Sequence, residues 1–445
     1  MAMGRQGAQQ GEMLVSWDEL PKSPGHVFYD RLQAVLVEAG CDACVETLCQ
    51  PYDAATMGAP ALPPGRYFRL HLVGYFEGID SARGLAWRGA DSLALRDFRG
   101  LERRARGPDH SWLSRTRARL PLELHERVFA WVPARLAARG LVKGERIGGD
   151  ASTMAANAAM RSIRRCDSGE SYREMLTRMA AASGVATPTA AALKQFARAR
   201  QGKRLSNAEW ASATGPEARI TRLQDGRTRL AYQPEHALDL DPEAIVAAAI
   251  HPAARADTTT RDGTLEAAPR GLDAAGLAPC AQLPTELIAA KGDHSRAVLK
   301  DLAGGPWQTR IAEPKPKEVQ RWRGDRDARR AVYGNRARRR SGIGREGFAL
   351  RAEKVERSFA LTLARGGLRR TRWRGRENVQ KRYLVHVAAD NLGLVMRQLL
   401  GAGTPQELAA RGARLLWLLH PDLGLPVILI LPPNAGPEPT SSTGC

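Results

Sequence analysis

Arg146-Ile147-Gly148-Gly149-Asp150 is the stretch on which the fold turns. Ile147 to Asp150 reads as the end of a short strand, and the character of the chain changes there. Upstream the pattern is helical. Residues 26–50 place Val27, Leu32, Val35, Leu36 and Val37 on an apolar face running to Gly40. A loop with three prolines, Pro60 to Gly65, precedes Tyr67 to Phe76, which reads as a buried helix. Pro108-Asp109-His110-Ser111 is a turn into Trp112 to Arg119, with Asp109 or Ser111 available as N-cap. Leu122 to Arg139 is an amphipathic helix ended by Gly140, with Pro133 inside it. Short helices around a turn suit a helix-turn-helix type of DNA reader.

Downstream of Asp150 the order is mixed. Ser168 to Gln201 reads as helix and Gly202 to Gly215 as loop. Arg227 to Asp241 and Ile245 to Ile250 form a hairpin about Asp241-Pro242. A helix over Thr260 to Ala268, a strand at Leu287 to Ala290, a helix over Ser295 to Leu302 and a strand at Thr309 to Ala312 follow. Arg351 to Leu363 and Ala388 to Leu400 are the last helices, the latter stopped by Gly401. This is an α/β order with a mixed sheet. After Ala435 the tail is rich in Gly, Pro, Ser and Thr and reads as disordered.

Composition narrows the class. The chain has 445 residues and 43% hydrophobic content, enough for packed cores and two or three domains. Six cysteines exclude a disulfide framework and indicate a reducing cytoplasm. Met1 to Trp17 has no apolar core of a signal peptide. Leu415 to Leu431, the most apolar segment, is interrupted by His420, Pro421, Asp422 and Pro426, so no membrane partner is expected.

The net charge of +20 is concentrated. Residues 321–390 hold 21 Lys+Arg against 7 Asp+Glu, so most of the surplus falls in one sixth of the chain. A local patch is the electrostatic footprint of a polyanion, and arginine's planar fork suits phosphate. Trp322 and Trp373 are interleaved and could stack on an exposed base. The competing reading is a solvated face or a disordered basic loop, above all at Arg336 to Arg340.

Cys41, Cys44 and Cys49 lack the second pair of ligands that a structural zinc site needs, and read as thiols in a helix. The carboxylates say more. Asp150 ends a strand between Gly149 and Ala151, where a metal or phosphate could approach closely. Glu356 lies on a helix within the basic region. Two such carboxylates amid positive charge suit Mg²⁺-assisted phosphoryl transfer; salt-bridge partners are the alternative.

Several runs carry a family resemblance: Pro64-Gly65-Arg66-Tyr67-Phe68-Arg69-Leu70, Gly74-Tyr75-Phe76-Glu77-Gly78-Ile79-Asp80-Ser81, Ala156-Asn157-Ala158-Ala159-Met160-Arg161-Ser162-Ile163, Val355-Glu356-Arg357-Ser358-Phe359 and Gln398-Leu399-Leu400-Gly401. The chain resembles bacterial insertion-sequence transposases of the DDE type over roughly residues 26 to 406. Residues 1–25 are expected to form a disordered tail, and the resemblance implies a helical DNA-binding domain at 26–140. It further implies a ribonuclease-H-like catalytic domain at 141–406 with an insertion at about 165–225; residues 407–445, beyond the resemblance, are expected to form a variable C-terminal tail. It also implies a cytoplasmic, nucleoid-associated enzyme that acts as a homo-oligomer on double-stranded DNA, namely element terminal repeats and target DNA. Mg²⁺ or Mn²⁺ would serve strand cleavage and strand transfer.

Residue by residue, Asp150 matches the first aspartate and Glu356 the glutamate, both as metal ligands. Where relatives read Ala-Asp-Lys-Gly-Tyr-His-Ser, this chain reads Ala289-Ala290-Lys291-Gly292-Asp293-His294-Ser295. Ala290 thus takes the second aspartate's place. Asp293 is the available substitute, roughly 10 Å away along an extended chain. The enzyme reading therefore stands beside a second one, a catalytically inactive relative that only binds DNA. Either way Arg336, Arg338, Arg339, Arg340, Arg369, Arg370, Arg372 and Arg374 are the expected phosphate contacts.

Overall fold

The computed structural model describes residues 26–53, 62–101, 107–184, 189–199, 205–223, 225–253, 267–280, 282, 284–314, 322 and 324–411. The N-terminal tail, most of the helix expected at 260–268, Arg321, Leu415 to Leu431 and the last ten residues lie outside them. The side chain of Asp293 does too.

Helices come first: α1 (Val27–Glu38), α2 (Cys41–Cys49), α3 (Pro64–Phe76), α4 (Ala82–Asp91), α5 (Leu93–Phe98), α6 (His110–Arg119) and α7 (Leu122–Ala137). The single helix expected over 26–50 is two, because Gly40 adopts φ 69°, a left-handed conformation that breaks the ladder. Asp109 caps α6, its Oδ1 accepting the Ser111 and Trp112 amides at 2.8 and 3.0 Å. Every residue of α3 except Arg66 is buried, as its apolar run requires. Pro133 is accommodated inside α7, where it is buried.

The sheet follows. Its strands are β1 (Arg146–Ala151), β2 (Met154–Ala155), β5 (Arg219–Arg222), β6 (Thr228–Asp239), β7 (Ala244–Pro252), β8 (Thr285–Ala289) and β9 (Trp307–Ile311). A separate ribbon pairs β3 (Ile163–Arg165) with β4 (Trp210–Ser212), inside the segment expected to be loop. Two helices, α8 (Tyr172–Ala182) and α9 (Ala190–Ala199), stand where one was expected. The main sheet runs β7-β6-β1-β8-β9. β6 is antiparallel to β1 and to β7, its hairpin partner, while β8 and β9 are parallel to β1. The crossovers that parallel strands demand are a helix at 267–274 (α10) and α11 (Arg296–Ala303).

Three helices close the fold: α12 (Arg326–Arg340), α13 (Gly342–Phe359), which runs on as a π-turn over Ala360–Arg365, and α14 (Arg376–Leu400). α14 begins twelve residues before the expected Ala388. It packs on α3 and α7 with one side and on β7 with another, so one continuous apolar core joins the N-terminal helices to the sheet.

Both outer strands of that sheet present edges, and each edge is covered by an asparagine from a helix. Asn391 of α14 takes the Ile245 amide and gives to the Ile245 carbonyl, both at 2.8 Å. Asn335 of α12 does the same to Ile311, at 2.8 and 2.9 Å. Each amide side chain stands in for a missing strand, and both are fully buried. Replacing Asn391 with Leu is expected to orphan a buried donor and acceptor together, at a cost of about 2–4 kcal/mol. Chemical denaturation of the variant checks this; an unchanged midpoint would mean that water replaces the amide.

Candidate functional site

Asp150 and Ala290 come together at one end of the sheet. β1 and β8 pair in parallel with Arg146 opposite Glu286, Ile147 opposite Leu287 and Gly148 opposite Ile288. Asp150 and Ala290 each lie two residues beyond the last of these pairs, at the carboxyl ends of the two neighbouring strands. Adjacent strands lie about 4.8 Å apart, and residues in register share a face. The carboxyl ends of parallel strands are where open α/β sheets offer their ligand crevice.

The helix α13 lies over this end because two glycines let it. A Cβ at Gly347 would stand 2.5 Å from the Ile288 side chain, and one at Gly148 would stand 2.6 Å from Leu240 and 3.3 Å from Arg351. That close approach delivers Arg351 to the strand end. Its Nη2 lies 2.8 Å from Asp150 Oδ2, and its guanidinium donates to the Gly149 carbonyl at 2.9 and 3.1 Å. The other carboxylate oxygen of Asp150 accepts the Ala151 amide at 2.9 Å.

Across the sheet, His236 of β6 pairs with Asp150. Ser358 donates its hydroxyl proton to the Val355 carbonyl at 2.8 Å, so at 2.9 Å it accepts from His236 Nδ1. His236 Nε2 is then the acceptor for the Tyr383 hydroxyl at 2.5 Å, and Phe359 stacks on the ring at 4.2 Å. Burial pulls this imidazole down to about 3, which keeps it neutral. The floor under Asp150 is therefore a satisfied, uncharged network that ties α13 and α14 to β6.

Glu356 is on α13 but not on its sheet-facing side. Five residues beyond Arg351 it sits about 140° further round the helix, exposed, on the other flank from Lys354 and Arg357, which reach the hairpin tip at Leu240, Asp241 and Glu243. Among the described residues its carboxylate has no hydrogen bond or ion pair.

These positions bear on a divalent cation. Asp150 is already neutralised by Arg351, Ala290 offers no oxygen, and Glu356 is exposed on another flank of α13. Among the described residues no group of three His, Cys, Asp or Glu could hold a metal. Among the described residues the donor set does not fit a Mg²⁺ or Mn²⁺ centre. Nor do the cysteines of α2 form one: Cys41, Cys44 and Cys49 are free, and burial pushes the Cys41 and Cys49 thiols up to about 11.

The eight arginines expected at phosphate divide into two groups. Arg336 is held by both oxygens of Glu313, at 2.5 and 2.6 Å, and lies against the Tyr333 ring. Arg338 turns inward to the Thr309 carbonyl and hydroxyl, both at 2.9 Å. Arg339, Arg340, Arg369, Arg370, Arg372 and Arg374 are exposed. The last four belong to a segment stitched beside β2: Ala155 donates to the Arg369 carbonyl at 3.0 Å, and Thr371 donates to the Ala155 carbonyl at 2.9 Å. Arg372 also holds Asp80, which follows α3, at 2.5 Å. Trp373, expected to stack on a base, is buried between the guanidinium groups of Arg117 at 4.0 Å and Arg382 at 5.0 Å. Arg351 and His236 escaped sequence reasoning, because each acts through a partner more than a hundred residues away.

The architecture defines an α/β protein with an N-terminal helical array and a mixed sheet whose parallel strands end at Asp150 and Ala290. Residues 16–119, through the end of α6, match the family model described as a transposase domain (DUF772). No curated protein and no solved structure matches the chain. Among the described residues no helix is long and apolar enough to cross a membrane.

Proposed function

We propose that this chain is a DDE-type transposase relative of the ribonuclease-H-like class that binds duplex DNA at element ends and holds it without cutting it. One observation carries the reading: Ala290, just past the carboxyl end of β8, offers no oxygen next to the end of the parallel β1, where the carboxylate of Asp150 is engaged by Arg351. In a relative with a complete carboxylate set, a divalent metal would stabilise the attacking and leaving oxygens of strand cleavage. Here Asp150 retains its place at the strand end, and its charge is met from within the chain. Exposed arginines on α12 and beside β2 supply the grip on phosphate. A homo-oligomer on paired ends remains an expectation of the resemblance.

The enzyme reading has one observation in its favour. Lys291–Asp293 form a 3₁₀ turn rather than an extended run. At about 2 Å rise per residue Asp293 is only about 6 Å beyond position 290, not the 10 Å that an extended chain would put between them.

The test is a binding and nicking assay with labelled element-end duplex in the presence of Mn²⁺. A retarded but uncut duplex is the expected result. Cleavage by the native chain, abolished in Asp293→Ala, would restore the enzyme reading; no retardation at low salt would remove DNA from the account.

A further inference from the structure

The outward face of α12 carries a surface of which the expected phosphate contacts included only Arg340. The helix packs through Ala328, Ala331, Val332 and Asn335, all buried, at the i, i+3, i+4, i+7 spacing of one face. At 100° per residue the opposite face gathers Arg326, Arg329, Arg330, Tyr333 and Arg340 within about 100° of arc. All five are exposed, with Tyr333 at 48%, and the arginines have no ion pair among the described residues. The helix's one acidic residue, Asp327, lies about 100° round from Arg326, off the stripe. From Arg326 to Arg340 the stripe is about 21 Å long.

Its direction is fixed by the edge pairing. Asn335 sits beside Ile311 and Arg338 beside Thr309, so α12 runs antiparallel to β9. The residues before Asn335, Arg326 to Gly334, therefore project past the carboxyl end of β9. Asp150 and Ala290 lie at that same end of the sheet.

We propose that this stripe is a track for one phosphate backbone of duplex DNA, leading toward the end of the sheet marked by Asp150. The proposal rests on the DNA-binding reading above and adds a surface to it. Four unpaired guanidinium groups on one face, without an acid among them, complement a regular polyanion. Tyr333, at the middle of the stripe, has a hydroxyl that can donate to a phosphate oxygen. The Arg329 guanidinium lies 5.8 Å from its ring.

The experiment uses the full chain and a labelled random-sequence duplex of about three helical turns. One variant replaces Arg326, Arg329, Arg330 and Arg340 with Gln. A control replaces four exposed arginines elsewhere, Arg31, Arg127, Arg173 and Arg227, with Gln, matching the change in net charge. The stripe variant is expected to bind at least about tenfold more weakly and to flatten the log–log salt slope by about three to four, against less than one for the control. Equal losses in both variants, or none in the stripe variant while the native chain binds steeply, would overturn the stripe and leave the function standing. A native chain that ignores DNA would overturn both. Competition by poly-glutamate as strong as that by unlabelled duplex would make the stripe a docking face for acidic protein and sink the DNA track.

Discussion

Ala290→Asp is expected to turn a chain that holds DNA into one that nicks it at least about a thousandfold faster, which is about 4 kcal/mol of transition-state stabilisation. The geometry asks little of the substitution. Ala290 follows β8 in extended conformation, at φ −72° and ψ 174°, and is partly exposed, so a longer side chain meets no packing obstacle of the core. The parallel pairing of β1 and β8 puts the new carboxylate at the same end of the sheet as Asp150. Two carboxylates about 5 Å apart repel, and Arg351 carries only one positive charge between them. Asp150 and the introduced carboxylate would then both favour a divalent cation over the guanidinium.

Two readouts separate the steps. Mn²⁺ should raise the unfolding temperature of Ala290→Asp and leave the native chain unmoved, whatever happens to DNA. Nicking should then appear in the variant alone. If Mn²⁺ stabilises the variant yet no nicking follows, Arg351 is the next obstacle, and Ala290→Asp with Arg351→Gln should cut. If the native chain already responds to Mn²⁺ and cuts, the incomplete-site argument is wrong and Asp293 becomes the ligand to remove.

Local signals in the sequence carried much of the fold. The hairpin about Asp241-Pro242, the strands at β1, β8 and β9, the cap at Asp109 and the stop at Gly140 depend on neighbours in the chain, and all are present. α12 was harder to read because its buried face is made of two alanines, a valine and an asparagine, which give almost no apolar periodicity. The arginines around them suggested a disordered loop. The first half of α14 misled for the opposite reason: Gln380, Lys381 and Arg382 look solvent-facing, yet all three are buried. Arg382 donates to the Ile79 carbonyl and to His71 Nδ1 and faces Trp373, and burial pulls its guanidinium down to about 10. A charge surplus counted along the chain therefore overstates the charge that a partner meets.

The candidate site divides in the same way. Asp150 was readable from its place after two glycines at a strand end, and Glu356 and the substituted position 290 from the resemblance. What Asp150 does in the folded chain was not readable. Arg351 reaches it across 201 positions, and the reach depends on the missing Cβ atoms of Gly148 and Gly347. Nothing local in the Arg351 neighbourhood distinguishes it from the arginines around it.

The correction to the arginine count has a measurable consequence in salt. Each phosphate neutralised on duplex DNA contributes about −0.9 to the slope of log affinity against log salt. Eight expected contacts would give a slope near −7, but Arg336 and Arg338 are engaged by Glu313 and Thr309. The six exposed arginines predict about −5, and the three further arginines at the leading end of the α12 stripe would steepen this toward −8. The ion pair of Arg372 with Asp80 does not remove it from the six, because its guanidinium is two-thirds exposed and such pairs are worth about 0–1 kcal/mol. Affinity for duplex is therefore expected to fall at least about a thousandfold between about 50 and 200 mM salt. Fluorescence anisotropy across that range measures it directly. A slope near −5 that Arg369, Arg370, Arg372 and Arg374→Gln cut by more than half would assign the grip to the segment beside β2. A slope near −8 that the stripe variant lowers by three to four would add α12, and a flat response would deny a role to both.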